Sequence, residues 1–151
     1  MKFYAGIGSR DVPQNIQDMI RKIATKLAQE GYILRSGGAF GCDTVFEIAC
    51  DAAGGKKEIF LPWRGFGKKW ERIPDINDFQ EPTKEALAIG KELVEEYGDF
   101  NKDCNDWIWR FLARNMHQVL GYSLDNPVKF VVCYTQDGKE IGGTRWAIRL
   151  A

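Results

Sequence analysis

The sequence is poor in the residues that build metal centres and histidine-based active sites. It has one histidine and four cysteines in 151 residues. The cysteines are widely spaced and form no CxxC pair, so we expect free thiols in a reducing compartment and no metal site. His117 lies in a helical pattern, where a single imidazole is more often a packing residue than a catalyst. The cysteines are Cys42, Cys50, Cys104 and Cys133.

Long apolar runs and an excess of charge are also absent. No segment approaches the about 18 consecutive apolar residues of a membrane span, and the N-terminus opens on a strand-like segment instead of a leader. We therefore expect a soluble cytoplasmic protein with no membrane partner. The formal net charge is zero, which removes the simplest argument for nucleic-acid binding, a strongly basic domain.

The neutral total hides a segregation of charge along the chain. Residues 56–72 contain six basic and two acidic side chains, whereas residues 75–106 contain ten acidic and three basic ones. Two interpretations remain open. The runs are solvated helix faces, or the basic segment forms a local rim beside a phosphate site, which acts at short range whatever the total charge.

Strand-like and helix-like apolar patterns alternate along the chain, with short connections between them. This alternation predicts an α/β fold, a Rossmann-like open and mostly parallel sheet with helices on both faces. The length suits one domain over residues 1–151, with a loop and helical insertion at about 63–121. The predicted strands are residues 2–7, 32–35, 58–61 and 128–134; the predicted helices are about 13–30, 42–53, 83–97, 104–120 and from 144 onward; residues 63–81 are predicted to be a long loop.

Three strands are predicted to run into glycine-containing loops that open helices. We call them the first loop (residues 6–10), the second loop (residues 36–41) and the third loop (residues 142–144). In a parallel sheet such loops share the carboxyl edge, where ligands bind. Their glycines allow close approach of the backbone, and helix N-termini attract phosphate. Each loop alone could be ordinary turn chemistry, but three at one edge predict an anionic ligand, most simply a nucleotide.

Two common nucleotide-binding fingerprints are missing. The first loop has Gly6 and Gly8 but no third glycine at the required place, and Arg35 stands where a dinucleotide-binding strand would end in an acidic residue. A Walker A loop is absent as well. The sequence thus disfavours a dehydrogenase and a P-loop ATPase.

The motifs together resemble those of the SLOG superfamily. The closest likeness is to the Rossmann-like domain of the DNA-processing protein A (DprA/Smf) family, in a short form such as phages and bacteria encode. The motifs are Gly6-Ile-Gly8-Ser9-Arg10, Ser36-Gly37-Gly38-Ala39-x-Gly41-x-Asp43, Leu61-Pro62, Arg114-Asn115 and Gly142-Gly143-Thr144.

The resemblance implies a ligand site and a set of partners. Relatives bind nucleotides or nucleotide-derived signals, and DprA relatives bind single-stranded DNA and assist its transfer to a recombinase. A nucleotide ligand is thus expected, with single-stranded DNA as a further partner, in the cytoplasm of a bacterium or of the host of a phage. The implied binding residues are Gly8, Ser9, Arg10, Ser36, Gly37, Gly38, Ala39, Asp43, Arg114, Asn115, Gly142, Gly143 and Thr144.

The resemblance has limits at the C-terminal end. The lonely-guy phosphoribohydrolase branch carries a Pro-Gly-Gly-x-Gly-Thr-x-x-Glu motif, but no glutamate matches after Gly143 here. That branch's hydrolase activity is therefore not implied. Relatives usually continue to one more strand beyond the position of Ala151.

Several single residues carry alternative roles. Asp43 is interpreted as a helix cap, a ribose-binding carboxylate or a general base, and Glu47 lies one turn later on the same helix face. The two carboxylates are the candidate catalytic pair for an alternative function, hydrolysis or transfer at the N-glycosidic bond of a nucleotide. Arg10 is expected to grip phosphate with its guanidinium, or else to pair with Asp11 or Asp43.

The aromatic residues have two interpretations as well. Trp63, Phe66 and Trp70 are interleaved with basic residues, so they are candidates for stacking on bases or for packing against the core. Trp107 and its neighbours Trp109 and Phe111 are assigned to a helix-packing surface or to a contact in a homo-oligomer.

Overall fold

The computed structural model describes residues 1–67, 78–79, 81–101, 103 and 105–151, without the side chains of 78–79. Trp70, one of the stacking candidates, lies outside the described residues. The strands are β1 (Lys2–Gly8), β2 (Tyr32–Ser36), β3 (Lys57–Phe60), β4 (Asp78–Phe79) and β5 (Val131–Tyr134). The helices are α1 (Gln14–Gln29), α2 (Cys42–Ala52), α3 (Lys84–Tyr97), α4 (Asp106–Leu120) and α5 (Thr144–Leu150).

The strands form one parallel sheet in the order β4-β3-β2-β1-β5. The chain moves outward from β1 through β2 to β4 and then returns to the other side of β1. The strand order therefore changes direction between β1 and β5, which is where open α/β sheets form ligand crevices. Gly8 and Tyr134 are paired at the carboxyl ends of these two strands.

Helices cover both faces of the sheet, as the alternating pattern predicts. Helices α1 and α2 pack with Tyr4 and Leu34 on one face. Helix α4 contacts β1, β2 and β3, and its Val119 packs with Ile7 and Ala147 of α5. Tyr4 and Ile7 belong to opposite faces because side chains alternate along a strand. The predicted α/β, Rossmann-like fold is confirmed.

Glycine at position 6 sets the spacing between the sheet and α2. A Cβ on Gly6 would lie 2.6 Å from the ring of Phe46 and 2.8 Å from Leu34, which is too close for any side chain. The absence of a side chain at position 6 thus lets the fully buried Phe46 pack directly against the backbone of β1.

The structure differs from the predicted elements in two places. A two-residue strand, β4, lies inside the segment predicted to be a loop; hydrogen bonding to β3 defines it, and so short a segment carries no periodicity. Strand β5 begins at Val131 instead of residue 128. The backbone N–H of Val128 donates to the Val119 carbonyl of α4 at 2.8 Å, and the first backbone hydrogen bonds to β1 are made by Lys129 and Phe130. No described helix has the length and apolar character to span a membrane.

Candidate functional site

A cleft of about 550 Å³ lies at the carboxyl ends of β1 and β5, beside α4. Its walls come from the first and third loops, from Ala39 of the second loop, from the start of α2 and from one face of α4. Ten of the residues proposed from the sequence line it: Gly8, Ser9, Arg10, Ala39, Asp43, Arg114, Asn115, Gly142, Gly143 and Thr144.

The first loop is held by backbone hydrogen bonds on both sides. The N–H of Ser9 donates to the Tyr134 carbonyl at 2.9 Å, and the N–H of Cys42 donates to the Ser9 carbonyl at 3.1 Å. A Cβ on Gly41, whose φ is +93°, would lie 2.5 Å from the Arg10 Cα. This close approach needs glycine and holds the exposed Arg10 at the rim of the cleft, where its guanidinium carbon lies 5.9 Å from the Phe111 ring centroid.

The second loop is organised around the carboxylate of Asp43. Asp43 Oδ2 accepts the backbone N–H of Ala39 at 3.2 Å, and the N–H of Gly37 also favours the ionised form of this carboxylate by lowering its pKa. The Ser36 hydroxyl donates to the Gly6 carbonyl at 2.6 Å, so it ties two strands together. These donors of the second loop are therefore used within the protein. Ser36, Gly37 and Gly38 are not among the residues that line the cleft.

Arg114 and Asn115 connect the second loop to the third. Arg114 Nη1 donates to the Gly37 carbonyl and lies 4.0 Å from Asp43 Oδ2. Arg114 Nε donates to Asn115 Oδ1 at 3.0 Å, and Asn115 Nδ2 donates to the Gly143 carbonyl at 2.8 Å. Since α4 carries both side chains, one helix aligns two walls of the cleft.

Burial has the largest effect on the pKa values of Arg114 and Asp43. The side chains are almost completely buried. Loss of water lowers the pKa of Arg114 to about 10, although the Asp43 carboxylate opposes this shift. Burial likewise raises the pKa of Asp43 above its ordinary value, against the effects of Arg114 and of the Ala39 and Gly37 N–H groups. Arg114 therefore remains a cation at neutral pH and compensates the carboxylate.

A salt-bridge network outside the cleft anchors the third loop. Arg149 of α5 donates to both carboxylate oxygens of Asp99, at 2.8 and 3.0 Å, and to Glu140 at 3.0 Å. Glu140 lies two residues before the third loop, and Gly142 has a φ of +63°. The loop is thus held by α5 on one side and by Asn115 on the other.

Glu47 is not brought to the cleft. Its carboxylate accepts the ammonium group of Lys57 at 3.1 Å, and both side chains are 5% exposed. Lys57 also donates to Asp51 at 2.8 Å. Of the two carboxylates proposed as a catalytic pair, the cleft contains Asp43 alone.

The described stacking candidates pack against α4. The rings of Trp63, Phe66 and Phe111 contact one another edge to face, with centroids 5.1–5.3 Å apart. Phe66 is 8% exposed and packs with Ile59 of the sheet. Phe111 lines the cleft, but Trp63 and Phe66 do not.

The cleft also contains residues that our sequence reasoning did not assign to it. Trp107, Phe111 and Gln118 line it from α4, together with Ile108. Positions 107, 111, 114 and 118 recur at helical spacing and thus share a helix face. That periodicity relative to Arg114 was the signal that could have identified them. Ile141, just before the third loop, completes the apolar part of the wall.

Comparison with known proteins yields one family. Residues 1–62 match the family described as DNA recombination-mediator protein A. No curated protein and no solved structure matches the chain. The matched segment contains β1 to β3 and the first two loops, but ends before Arg114 and the third loop. Over residues 1–62, the match therefore confirms the DprA-like resemblance that the motifs of the first and second loops indicate.

Proposed function

We propose that the cleft binds a nucleotide, either as a free molecule or as a unit of single-stranded DNA. The observation that carries this proposal is the convergence of the first loop, Asp43 and the third loop on one cleft at the change in strand order. Its volume of about 550 Å³ lies within the range of roughly 300–1,000 Å³ that is typical of small-ligand sites.

Arg10 is the proposed phosphate-binding cation. It is exposed, it lines the cleft, and it forms no salt bridge with another described residue. Its guanidinium can donate two parallel hydrogen bonds to a phosphate. The hydroxyl groups of Ser9 and Thr144 line the same cleft and are further donors.

Arg114 is given a different role, because its guanidinium is buried against Asp43 and Gly37. Its charge compensates Asp43, so the attraction for an anion comes mainly from Arg10. We propose that Arg114 and Asn115 keep the second and third loops at the correct distance for the ligand.

The family match supports the DNA form of this proposal. Proteins of the matched family are described as mediators of DNA recombination, and a strand of DNA presents the same phosphate and base as a free nucleotide. The two forms differ in their response to salt. Binding of a strand releases several counterions and weakens steeply with salt concentration, whereas a mononucleotide replaces fewer.

Calorimetric titration with AMP, ADP-ribose, NAD, cyclic nucleotides and a single-stranded oligonucleotide tests the proposal. We expect Arg10→Ala to weaken binding by about 10- to 150-fold, since hydrogen bonds to charged groups contribute about 1.5–3 kcal/mol. Arg21→Ala is the matched control, because Arg21 is exposed on α1 and pairs with Asp18 outside the cleft. If no ligand binds, or if the two variants bind equally, the proposal is refuted.

The alternative, hydrolysis at an N-glycosidic bond, has less support. Asp43 lines the cleft with a raised pKa, as an acid catalyst would. Its oxygen, however, accepts the Ala39 N–H, and Glu47 lies elsewhere. Free base released from a nucleotide by the wild type, and lost in Asp43→Asn, would favour turnover.

A further inference from the structure

The first part of α4 gives the cleft an apolar and aromatic wall, ahead of the polar side chains that the same helix contributes further along. Trp107, Ile108 and Phe111 line it, and Ile141 is contributed by the segment before the third loop. Trp107 is 50% exposed and Ile141 is 42% exposed, so both present apolar surface to solvent inside a concave site. This part of the cleft lies beyond residues 1–62, where the family match ends.

The orientation of Trp107 is set by its neighbours. Its ring contacts Phe111 edge to face, with centroids 5.9 Å apart and an angle of 81°. Phe111 is in turn held by Trp63 and Phe66, each at 5.3 Å and nearly perpendicular. Trp107 thus packs against the aromatic cluster of Phe111, Trp63 and Phe66 through Phe111, while half of its own surface stays exposed. A flat surface of this kind loses little conformational entropy when a second flat group stacks on it.

The aromatic surface and the phosphate-binding cation lie close to each other. Phe111 is in contact with Trp107 on one side, and the Arg10 guanidinium carbon lies 5.9 Å from the Phe111 ring centroid. A ligand that spans both features needs an anionic group and a flat apolar group separated by a short linker. A nucleoside monophosphate has this arrangement, because its ribose joins the base to the phosphate.

We propose that Trp107 is the base-stacking residue of the cleft and that the site selects ligands carrying a nucleobase over bare sugar phosphates. This inference rests on the proposed function, since it assigns a second contact to the same nucleotide. It moves the stacking role from Trp63 and Phe66, whose rings pack in the interior cluster, to α4. Stacking accepts any base, so Trp107 provides affinity for the class of ligand without a strong sequence preference.

The test compares AMP with ribose 5-phosphate by calorimetry on the full chain. We expect Trp107→Ala to raise the Kd for AMP by about 5- to 150-fold, the equivalent of one lost stacking contact, and to leave the Kd for ribose 5-phosphate unchanged. Trp107→Phe should retain most of the affinity for AMP, because the smaller ring still stacks. Ile48→Ala, an exposed apolar position on α2 outside the cleft, should bind both ligands like the wild type.

The outcomes separate this inference from the proposed function. If the wild type binds AMP and loses it in Arg10→Ala but not in Trp107→Ala, the stacking role is wrong and the nucleotide site stands. Equal losses of AMP and ribose 5-phosphate in Trp107→Ala also overturn the stacking role, since they indicate a general distortion. If the wild type binds neither ligand nor an oligo(dA) strand, both proposals fail. Tighter binding of the strand than of AMP identifies DNA as the source of the nucleotide.

Discussion

Removing the Arg114 charge should destabilise the protein far more than removing an exposed arginine of the same helix. Arg114 is 6% exposed and Asp43 is 4% exposed, so Arg114→Met leaves a buried carboxylate without its compensating cation. Breaking a buried ion pair on one side costs about 3–5 kcal/mol. That is a large fraction of the total stability of about 5–15 kcal/mol expected for a small domain.

The same helix provides a matched control. Arg110 lies one turn earlier on α4 and pairs with Asp106 at 3.0 Å, but these side chains are 49% and 83% exposed. Arg110→Met should therefore cost no more than about 0.5 kcal/mol, the usual contribution of an exposed pair with this spacing. Urea denaturation followed by circular dichroism measures both differences in the free energy of unfolding.

A double variant and a pH series complete the test. Asp43→Asn keeps an oxygen to accept the Ala39 N–H but removes the charge, so it should restore much of the stability lost in Arg114→Met. Without Arg114 the folded-state pKa of Asp43 rises further above its unfolded value. The stability lost in Arg114→Met should then be small at low pH, where Asp43 is protonated. The loss should grow as pH rises from the folded-state pKa of Asp43 in the wild type towards its higher value in the variant. Equal costs for Arg114→Met and Arg110→Met, or no rescue by Asp43→Asn, would refute the reasoning.

Three further predictions concern the second loop, the buried histidine and the buried ion pair. Gly41→Ala should lower the free energy of unfolding by about 1–3 kcal/mol or more through backbone strain, and it should also weaken nucleotide binding. Gly54→Ala is the control, because Gly54 also has a positive φ but a Cβ there would meet no other atom within 4 Å. It should lower stability without changing the affinity measured in the same titration. Burial lowers the pKa of His117, so the unfolded state binds a proton more readily. Stability should thus fall as pH drops below about 6.5, by at most about 1.4 kcal/mol per pH unit, and a urea series on His117→Gln should show a smaller slope. Glu47→Gln should lower the urea midpoint because it weakens the pair with Lys57, yet leave nucleotide affinity unchanged; a loss of affinity would place Glu47 in the site after all.

The sequence was most informative where periodicity and glycine coincide. The apolar pattern of α1 runs from Ile16 to Leu27 at helical spacing, and the structure has a helix there. Strand boundaries agreed to within a residue or two for β1, β2 and β3. These buried parallel strands are short segments centred on apolar residues, and the short connections that follow them make their ends easy to locate. Strand β4 has only two residues, so it shows no apolar pattern in the sequence, and only its hydrogen bonds to β3 define it as a strand.

Side-chain pairing across elements could not be predicted in the same way. The spacing of Asp43 and Glu47 places both on α2, but Glu47 lies outside the cleft and pairs with Lys57 of β3. Arg114 is far in sequence from Gly37 and Asp43, and yet it reaches both. Such contacts depend on how α4 packs on the sheet, which local sequence does not encode.

The sequence by itself determined the parallel α/β fold, the positions of the three glycine loops and the family resemblance of the first 62 residues. These depend on local patterns, namely apolar periodicity, helix boundaries and backbone positions that need glycine. The tertiary structure decided which side chains share the cleft. It buries Arg114 beside Asp43 and leaves Arg10 exposed at the cleft. It also places Trp107 in the cleft wall, whereas Trp63 and Phe66 lie outside the cleft. The physical reason is that burial and charge pairing arise between elements distant in sequence, so they exist only once those elements have packed.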